Sequence, residues 1–276
     1  MAAAAMQRVG TLSALCAALA GMTHEARADQ ALWEAGMGLA AMRLPHYRGS
    51  NQTHDWLLPL PYAVYRGEIF RADRDGARAR LVESERVDLD LSFAASAPTR
   101  SKDNLARVGM PDLAPTVEVG PNMTVQLARG SHWKAELRVP VRAAITLQSS
   151  PRLLGWIAIP NVNIDMKVMG WDVGMLVGPI LGSRGFNGYF YDVAPNYATA
   201  ARATYRAQGG LGGWQTTAGV SKRMGNLWLG AFVKADSVAS ARYVASPLVR
   251  QQHTVAFGVA ASRVFAQSSE RVVGAD

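Results

Sequence analysis

The chain has 276 residues, of which 49% are hydrophobic, a mean hydropathy of +0.00 and a formal net charge of +8. These values suit a soluble enzyme and a membrane barrel equally, because a barrel dilutes its apolar face with a polar one. Nucleic-acid binding is excluded, because the basic residues are scattered beside acids (Asp73-Arg74-Asp75, Lys134-Ala135-Glu136-Leu137-Arg138) and form no basic run or basic amphipathic helix.

Residues 1–28 read as a cleaved signal peptide. Arg8 supplies the basic start, Leu12 to Met22 the apolar core, and Ala26-Arg27-Ala28 the small residues of a cleavage site before Asp29. The apolar core is too short for a helical span of about 20 residues. A lipoprotein site at Cys16 is the rival, but Leu15 is a poor fit immediately before it. Cys16 is the only cysteine, so a mature chain from residue 29 holds none, which excludes disulfides and cysteine-based metal sites.

Beyond residue 29 a two-residue alternation recurs. Val117, Val119, Met123, Val125 and Leu127 alternate with Glu118, Asn122, Thr124 and Gln126; Ala135, Leu137, Val139 and Val141 alternate with Lys134, Glu136, Arg138 and Arg142. Successive side chains of a strand point to opposite faces, so each such segment has one apolar face and one charged face. Strands are predicted at 31–43, 56–65, 68–73, 77–83, 87–95, 116–128, 133–147, 155–167, 170–182, 210–223, 227–237 and 253–265. Several reach the roughly 9–11 residues a tilted strand needs to cross a bilayer. The fold expected is all-β: a transmembrane antiparallel up-and-down β-barrel over residues 29–265, of about 12 strands, or 10 if the segments between 62 and 95 merge.

Connections at 129–132, 168–169 and 224–226 are tight, whereas 44–55, 96–115, 183–209 and 238–252 are long and rich in Gly, Pro, Ser, Asn and Arg. Counting back from a periplasmic C-terminal end places every long segment outside the cell, as outer-membrane barrels have it. Trp33, Trp56, Tyr65, Trp133, Trp156, Trp171, Trp214 and Trp228 lie near strand ends, the places of two aromatic girdles. Contacts with lipid and with lipopolysaccharide phosphates would use the belt and the excess arginine.

The inner face is expected to carry Glu34, Asp88, Asp90, Glu118, Lys134, Glu136, Arg138, Arg142, Asp165, Lys167 and Asp172. Charged pairs of both signs in a narrow barrel predict a mostly closed lumen, with a selective pore as the alternative. His46, His54, His132 and His253 have no metal-ligand spacing, and no Gly-x-Ser-x-Gly occurs, so His46 beside Ser50 is the nearest thing to a serine–histidine pair. Gly36-Met37-Gly38 follows the strand period and lacks the helix of a dinucleotide site, which leaves small lumen-facing residues as its reading. Accordingly no catalytic, cofactor-binding or metal-ligating residue is assigned, and the chain is expected to be neither an enzyme nor a cofactor carrier.

Seven stretches, in this order, resemble the MltA-interacting protein family (MipA/OmpV) of outer-membrane proteins. They are Arg43-Leu-Pro-His-Tyr-Arg-Gly-Ser50, Leu57-Leu-Pro-Leu-Pro-Tyr-Ala-Val-Tyr-Arg-Gly67, Arg71-Ala-Asp-Arg-Asp-Gly76, Asp103-Asn-Leu-Ala-Arg-Val-Gly-Met-Pro-Asp-Leu-Ala-Pro-Thr116, Arg138-Val-Pro-Val-Arg142, Tyr189-Phe-Tyr191 and Ser246-Pro-Leu-Val-Arg250. The resemblance implies a barrel in the outer membrane of a Gram-negative bacterium. It also implies a scaffold role joining a murein lytic transglycosylase to a penicillin-binding peptidoglycan synthase, with porin-like or adhesin-like surface binding as the alternative. It brings no catalytic residues. Two departures stand out: Arg263 takes an alternate position expected to be apolar, and residues 266–276 follow the last predicted strand as a periplasmic tail. Polar at first and then offering Val272 and Val273, that tail is expected to order on contact with a cell-wall enzyme.

Overall fold

The computed structural model describes residues 30–66, 70–73, 76–83 and 87–272. The segment 1–28, read from the sequence as a signal peptide, lies outside them. In chain order the strands are β1 (Gln30–Ala31), β2 (Trp33–Pro45), β3 (Thr53–Arg66), β4 (Phe70–Asp73), β5 (Gly76–Glu83), β6 (Val87–Ser96), β7 (Thr116–Arg129) and β8 (Trp133–Thr146). They continue with β9 (Leu153–Ala158), β10 (Asn161–Val168), β11 (Trp171–Gly182), then helix α1 (Arg184–Tyr191), β12 (Gly210–Met224), β13 (Leu227–Ser237), β14 (His253–Gln267) and β15 (Arg271–Val272).

All pairings are antiparallel, most of them between chain neighbours, and β14 returns to pair with β2 from Phe257↔Arg43 to Gln267↔Glu34. The predicted strand 155–167 is interrupted at Ile159-Pro160, because proline cannot donate to a ladder. The interruption does not shift its register: β8 pairs Val141 with Ala158 and Arg138 with Asn161, and β11 pairs Leu181 with Ala158 and Val177 with Val162. β9 and β10 are therefore one staff of the wall, lying between β8 and β11. Counted so, twelve staves pair in turn around a ring, joined between β3 and β6 through the short β4–β5 hairpin.

Alternation within the strands sets the two faces. In β14, Val255, Phe257 and Val259 are exposed outward while Thr254, Ala256, Ser262 and Val264 are buried inward. Arg263 is exposed beside the turn at Asn226, which accepts a bond from Val264 N, so its charge sits at the rim rather than in mid-membrane. Met169 and Gly170, at φ 53° and 75°, form the two-residue turn between β10 and β11, the primed geometry that suits strand twist. The last strand runs to Gln267, two residues past the predicted end. The chain then turns back: Ser268 N donates to Trp33 O, Leu32 N to Glu270 O, and β15 pairs with β1. Within the described residues the tail is paired through Val272. Among the described residues no helix is long and apolar enough to cross a membrane.

Candidate functional site

The lumen is lined by two kinds of wall. β2, β3, β13 and β14 send Met42, Leu58, Leu60, Tyr62, Val64, Trp228, Phe232 and Val264 into one buried apolar cluster. β3 can do this because its run from Trp56 to Val64 is apolar on both faces apart from two prolines, serving lipid and lumen together. This corrects the girdle assignment for two residues: Trp228 is 5% exposed inside the barrel, and Trp56 packs against the same cluster. Trp33, Trp133, Trp156, Trp171 and Trp214 do face outward, at 38–49% exposure. The Tyr65 side chain lies outside the described ones.

The rest of the ring is polar inside. Glu34, Asp90, Glu118, Glu136, Asp165 and Asp172 are all buried, and Asp88 is exposed one pair from the start of β6. Glu136 bonds Lys134 and Arg138, each at 2.7 Å, and both cations also face Asp165, at 3.8 and 3.5 Å. Arg142 faces Glu118 at 3.7 Å, Lys167 faces Asp172 at 3.9 Å, and Arg223 pairs with Glu34. Each buried carboxylate named in these pairs has an opposite charge against it, the condition for keeping ions out of water.

Four loops fold over the outer mouth as one packed lid. Tyr47, Leu113, Tyr191, Val193, Val238, Tyr243 and Leu248 form a buried cluster drawn from loops 46–52, 97–115, 183–209 and 238–252. Hydroxyl bonds tie it together: Tyr47 OH donates to Leu248 O at 2.8 Å, Tyr191 OH to Arg48 O at 2.9 Å and Tyr243 OH to Gly212 O at 2.7 Å. Burial pushes the Tyr47 phenol up to about 12. Arg202 donates to the carbonyls of Tyr197, Ala106 and Val108, and Arg107 Nη1 donates to Phe190 O. Helix α1 lies within the long segment 183–209, for which the alternation pattern predicts no regular element. Its signals were present: Ser183 caps it by accepting from Phe186 N, and Phe186, Tyr189 and Phe190 have helical spacing. Phe186 packs on Ala144, Leu154, Ile157 and Ile180, which anchors the helix to the upper wall.

The histidines take separate places. His132 and His253 are exposed, and His54 sits against Trp56 with ring centroids 4.5 Å apart. His46 belongs to the lid. Asn104 Nδ2 donates to His46 Nδ1 at 3.0 Å and to Ser50 Oγ at 3.1 Å, so an amide stands between the imidazole and the hydroxyl. Ser50 is fully buried and its Oγ donates to Gln52 O, an arrangement for holding a loop and not for attacking a substrate. Burial first and His54 second lower the His46 pKa against the opposing pull of Asp103. Among the described residues, no group of three His, Cys, Asp or Glu is placed to hold a metal ion.

Four of the stretches that carried the family resemblance meet in this lid: His46, Tyr47 and Ser50; Asn104 and Arg107; Tyr189 and Tyr191; Ser246 and Leu248. Beneath it lies a cavity of about 370 Å³. Leu44, Phe232 and Ala256 bound its apolar side, and Arg48, Arg138, Arg142, Lys234, Glu118 and Asp236 bound its polar side.

The sequence model of the family described as MltA-interacting protein MipA matches residues 37–265. No curated protein matches the chain. Among solved structures, a bacterial polysaccharide outer membrane secretin aligns at 7% identity over 84% of this chain and 99% of that one, with a TM-score of 0.45. The CymD monoaromatic hydrocarbon channel aligns at 10% identity over 94% of each chain, with a TM-score of 0.41. The outer membrane phospholipase dimer of Salmonella typhi aligns at 10% identity over 92% of this chain and 97% of that one, with a TM-score of 0.36. At these scores the likenesses add nothing to the ring of pairings, from which the barrel is read.

Proposed function

The chain belongs to the MltA-interacting protein MipA family of outer-membrane proteins, and from that premise we propose that it is a non-catalytic scaffold for peptidoglycan-remodelling enzymes. The observation that carries this reading is the family description itself, which names an interaction and no reaction. The partner we infer is a murein lytic transglycosylase, with a penicillin-binding synthase recruited beside it. Export would use the segment 1–28 as a cleaved signal. Lipid would cover the outward belt, and lipopolysaccharide phosphates would meet outer arginines such as Arg152 and Arg250, both exposed.

A periplasmic partner must dock on the rim that carries the short turns and the β1–β15 ribbon. A standard interface buries roughly 800 Å² per partner, more than turns of two or three residues supply. The β1–β15 ribbon adds surface there. Crosslinking in intact envelopes followed by capture of the chain tests the reading. Recovery of a lytic transglycosylase that falls when residues 268–276 are deleted is the expected result; an envelope crosslinked to completion that yields no murein enzyme would sink it. A surface-binding role is the second reading. It is favoured by the lid, where Leu105 is 80% and Val108 50% exposed on the outer loops.

A further inference from the structure

The lumen holds its charges in two ways. Near the 129–132 turn, Glu136 takes Lys134 and Arg138 at 2.7 Å each, the length of a charge-assisted hydrogen bond. Around the cavity the pairs are slack. Lys234 stands 3.4 Å from Asp236, Arg48 3.6 Å from Asp236 and Arg142 3.7 Å from Glu118, beyond the about 2.7–2.9 Å of such bonds. Arg48 Nε and Asp236 Oδ1 are buried without a hydrogen bond. Every one of these cations lies against a carboxylate, so charge is matched here while hydrogen-bonding capacity is left over.

β12 adds neutral groups to the same patch. Gln215 and Thr217 stand directly opposite Asp236 and Lys234 in the β12–β13 ladder, and all four line the cavity. Gln215 is 8% and Thr217 3% exposed, yet neither side chain has a hydrogen-bond partner among the described residues. Nor are they sealed off. Thr254 Oγ1 and Asn161 Oδ1 are unpaired and shut away from solvent, whereas the polar atoms of Gln215 and Thr217 keep their contact with the cavity. Buried amides in folded proteins are answered by a partner, and here the only place for one is the cavity itself. Phe232 gives the patch an apolar face two residues before Lys234 on the inward side. Its ring lies over Gly258, where any Cβ would come within 2.6 Å of it.

A charged ligand finds no uncompensated counter-charge in this arrangement. A neutral molecule rich in hydroxyls finds donors, acceptors and an aromatic ring side by side. We propose that the cavity is a binding site for a small neutral sugar, a mono- or disaccharide. Its hydroxyls bond Gln215, Thr217, Asp236 and Lys234, which a group able both to donate and to accept can do without changing the charge balance. The C–H face of its ring rests on Phe232. At about 370 Å³ the cavity is at the small end for ligand sites, which limits the occupant to that size. Arg48, Tyr191 and Tyr243 carry the lid onto the same cavity, so the sugar enters from the outer mouth when the lid parts. The site is independent of the scaffold reading, whose docking surface is at the other end of the barrel.

The test uses the full barrel in an amine-oxide detergent, which carries no sugar of its own. Saturation-transfer NMR is run with glucose, galactose, N-acetylglucosamine, maltose and lactose in turn, and with gluconate and glucosamine as charged counterparts. At least one neutral sugar should give a saturable signal at millimolar concentration or below, with gluconate and glucosamine at least tenfold weaker. Replacing both Gln215→Leu and Thr217→Val should weaken the best binder about tenfold while boiling-sensitive gel migration persists. Should that variant not fold, the comparison of neutral with charged sugars on the unaltered chain decides alone. Absence of binding by all five neutral sugars would mean that the cavity holds water only and would overturn the proposal. So would equal binding of gluconate or glucosamine, or undiminished binding by a folded double variant.

Discussion

The ring of Tyr191 lies on that of Tyr243 with centroids 3.7 Å apart and planes 12° from parallel. The two residues come from different loops, and each hydroxyl is spent on a backbone carbonyl, Arg48 O for one and Gly212 O for the other. The pair therefore fastens loop 183–209 to loop 238–252 while also gripping the wall.

Removing the stack should open the lid and leave the barrel. Truncating a large buried aromatic costs about 3–5 kcal/mol. Tyr243→Ala is expected to expose loops 183–209 and 238–252 to protease added to intact cells, with boiling-sensitive migration retained. Loops that stay resistant would show that the rest of the cluster holds the lid without this ring.

Acid should loosen the same lid through His46. Asn104 Nδ2 is a donor, so His46 Nδ1 must accept and the ring must be neutral. The folded pKa is lowered below the ordinary imidazole value of about 6.5, so the folded state binds fewer protons than the unfolded one in this window. Its contribution is complete above about pH 6.5 and is lost as pH falls through the folded pKa. One hydrogen bond is worth about 1 kcal/mol, roughly fivefold in local opening. Amide exchange at Leu105, corrected for intrinsic rates, should accelerate by that factor between pH 7.5 and 5.5, and His46→Gln should abolish the acceleration.

Placement of tryptophan should decide its energetic weight. Trp228 is buried in the luminal cluster, so Trp228→Ala should cost about 3–5 kcal/mol. Trp133 is 46% exposed on the outward face and should cost much less. Urea-unfolding midpoints in detergent or vesicles would rank the two, and the reverse order would mean that the apolar inner wall is misplaced.

A charge on the outer face should fail where a neutral change inside succeeds. Val119 faces outward, and arginine near the membrane midplane costs about 2–4 kcal/mol. Glu118, one residue earlier, is buried opposite Arg142 at 3.7 Å. Val119→Arg should lower the folded fraction on unboiled gels more than Glu118→Gln does. Equal loss would imply that the Glu118–Arg142 pair is as important to assembly as the lipid-facing surface.

Much of the wall was legible in the residues. Wherever polar and apolar residues alternate strictly, as in Lys134 to Arg142, period 2 gave both the strand and its inward face, and the ion pairs of Glu136 and Asp165 follow from it. Arg263 was also visible as a local break of pattern, whereas the interruption at Pro160 fell inside the strand predicted at 155–167. The inner apolar wall was not, because Leu57 to Val64 is apolar at nearly every position and alternation carries no information when both faces match. Trp228 was misplaced for a related reason: a ring near a strand end fits a girdle until its direction is known.

What the sequence by itself determined is local: the strand period, the tight turns, the charged face, and the family to which they belong. Tertiary structure alone decided which loops meet across the mouth, that Asn104 reaches both His46 and Ser50, and that β3 and β6 are joined through a short hairpin. The physical reason is that period 2 states on which face a side chain lies. It does not state how far each strand slides past the next, and that stagger around the ring sets which residues share the lumen.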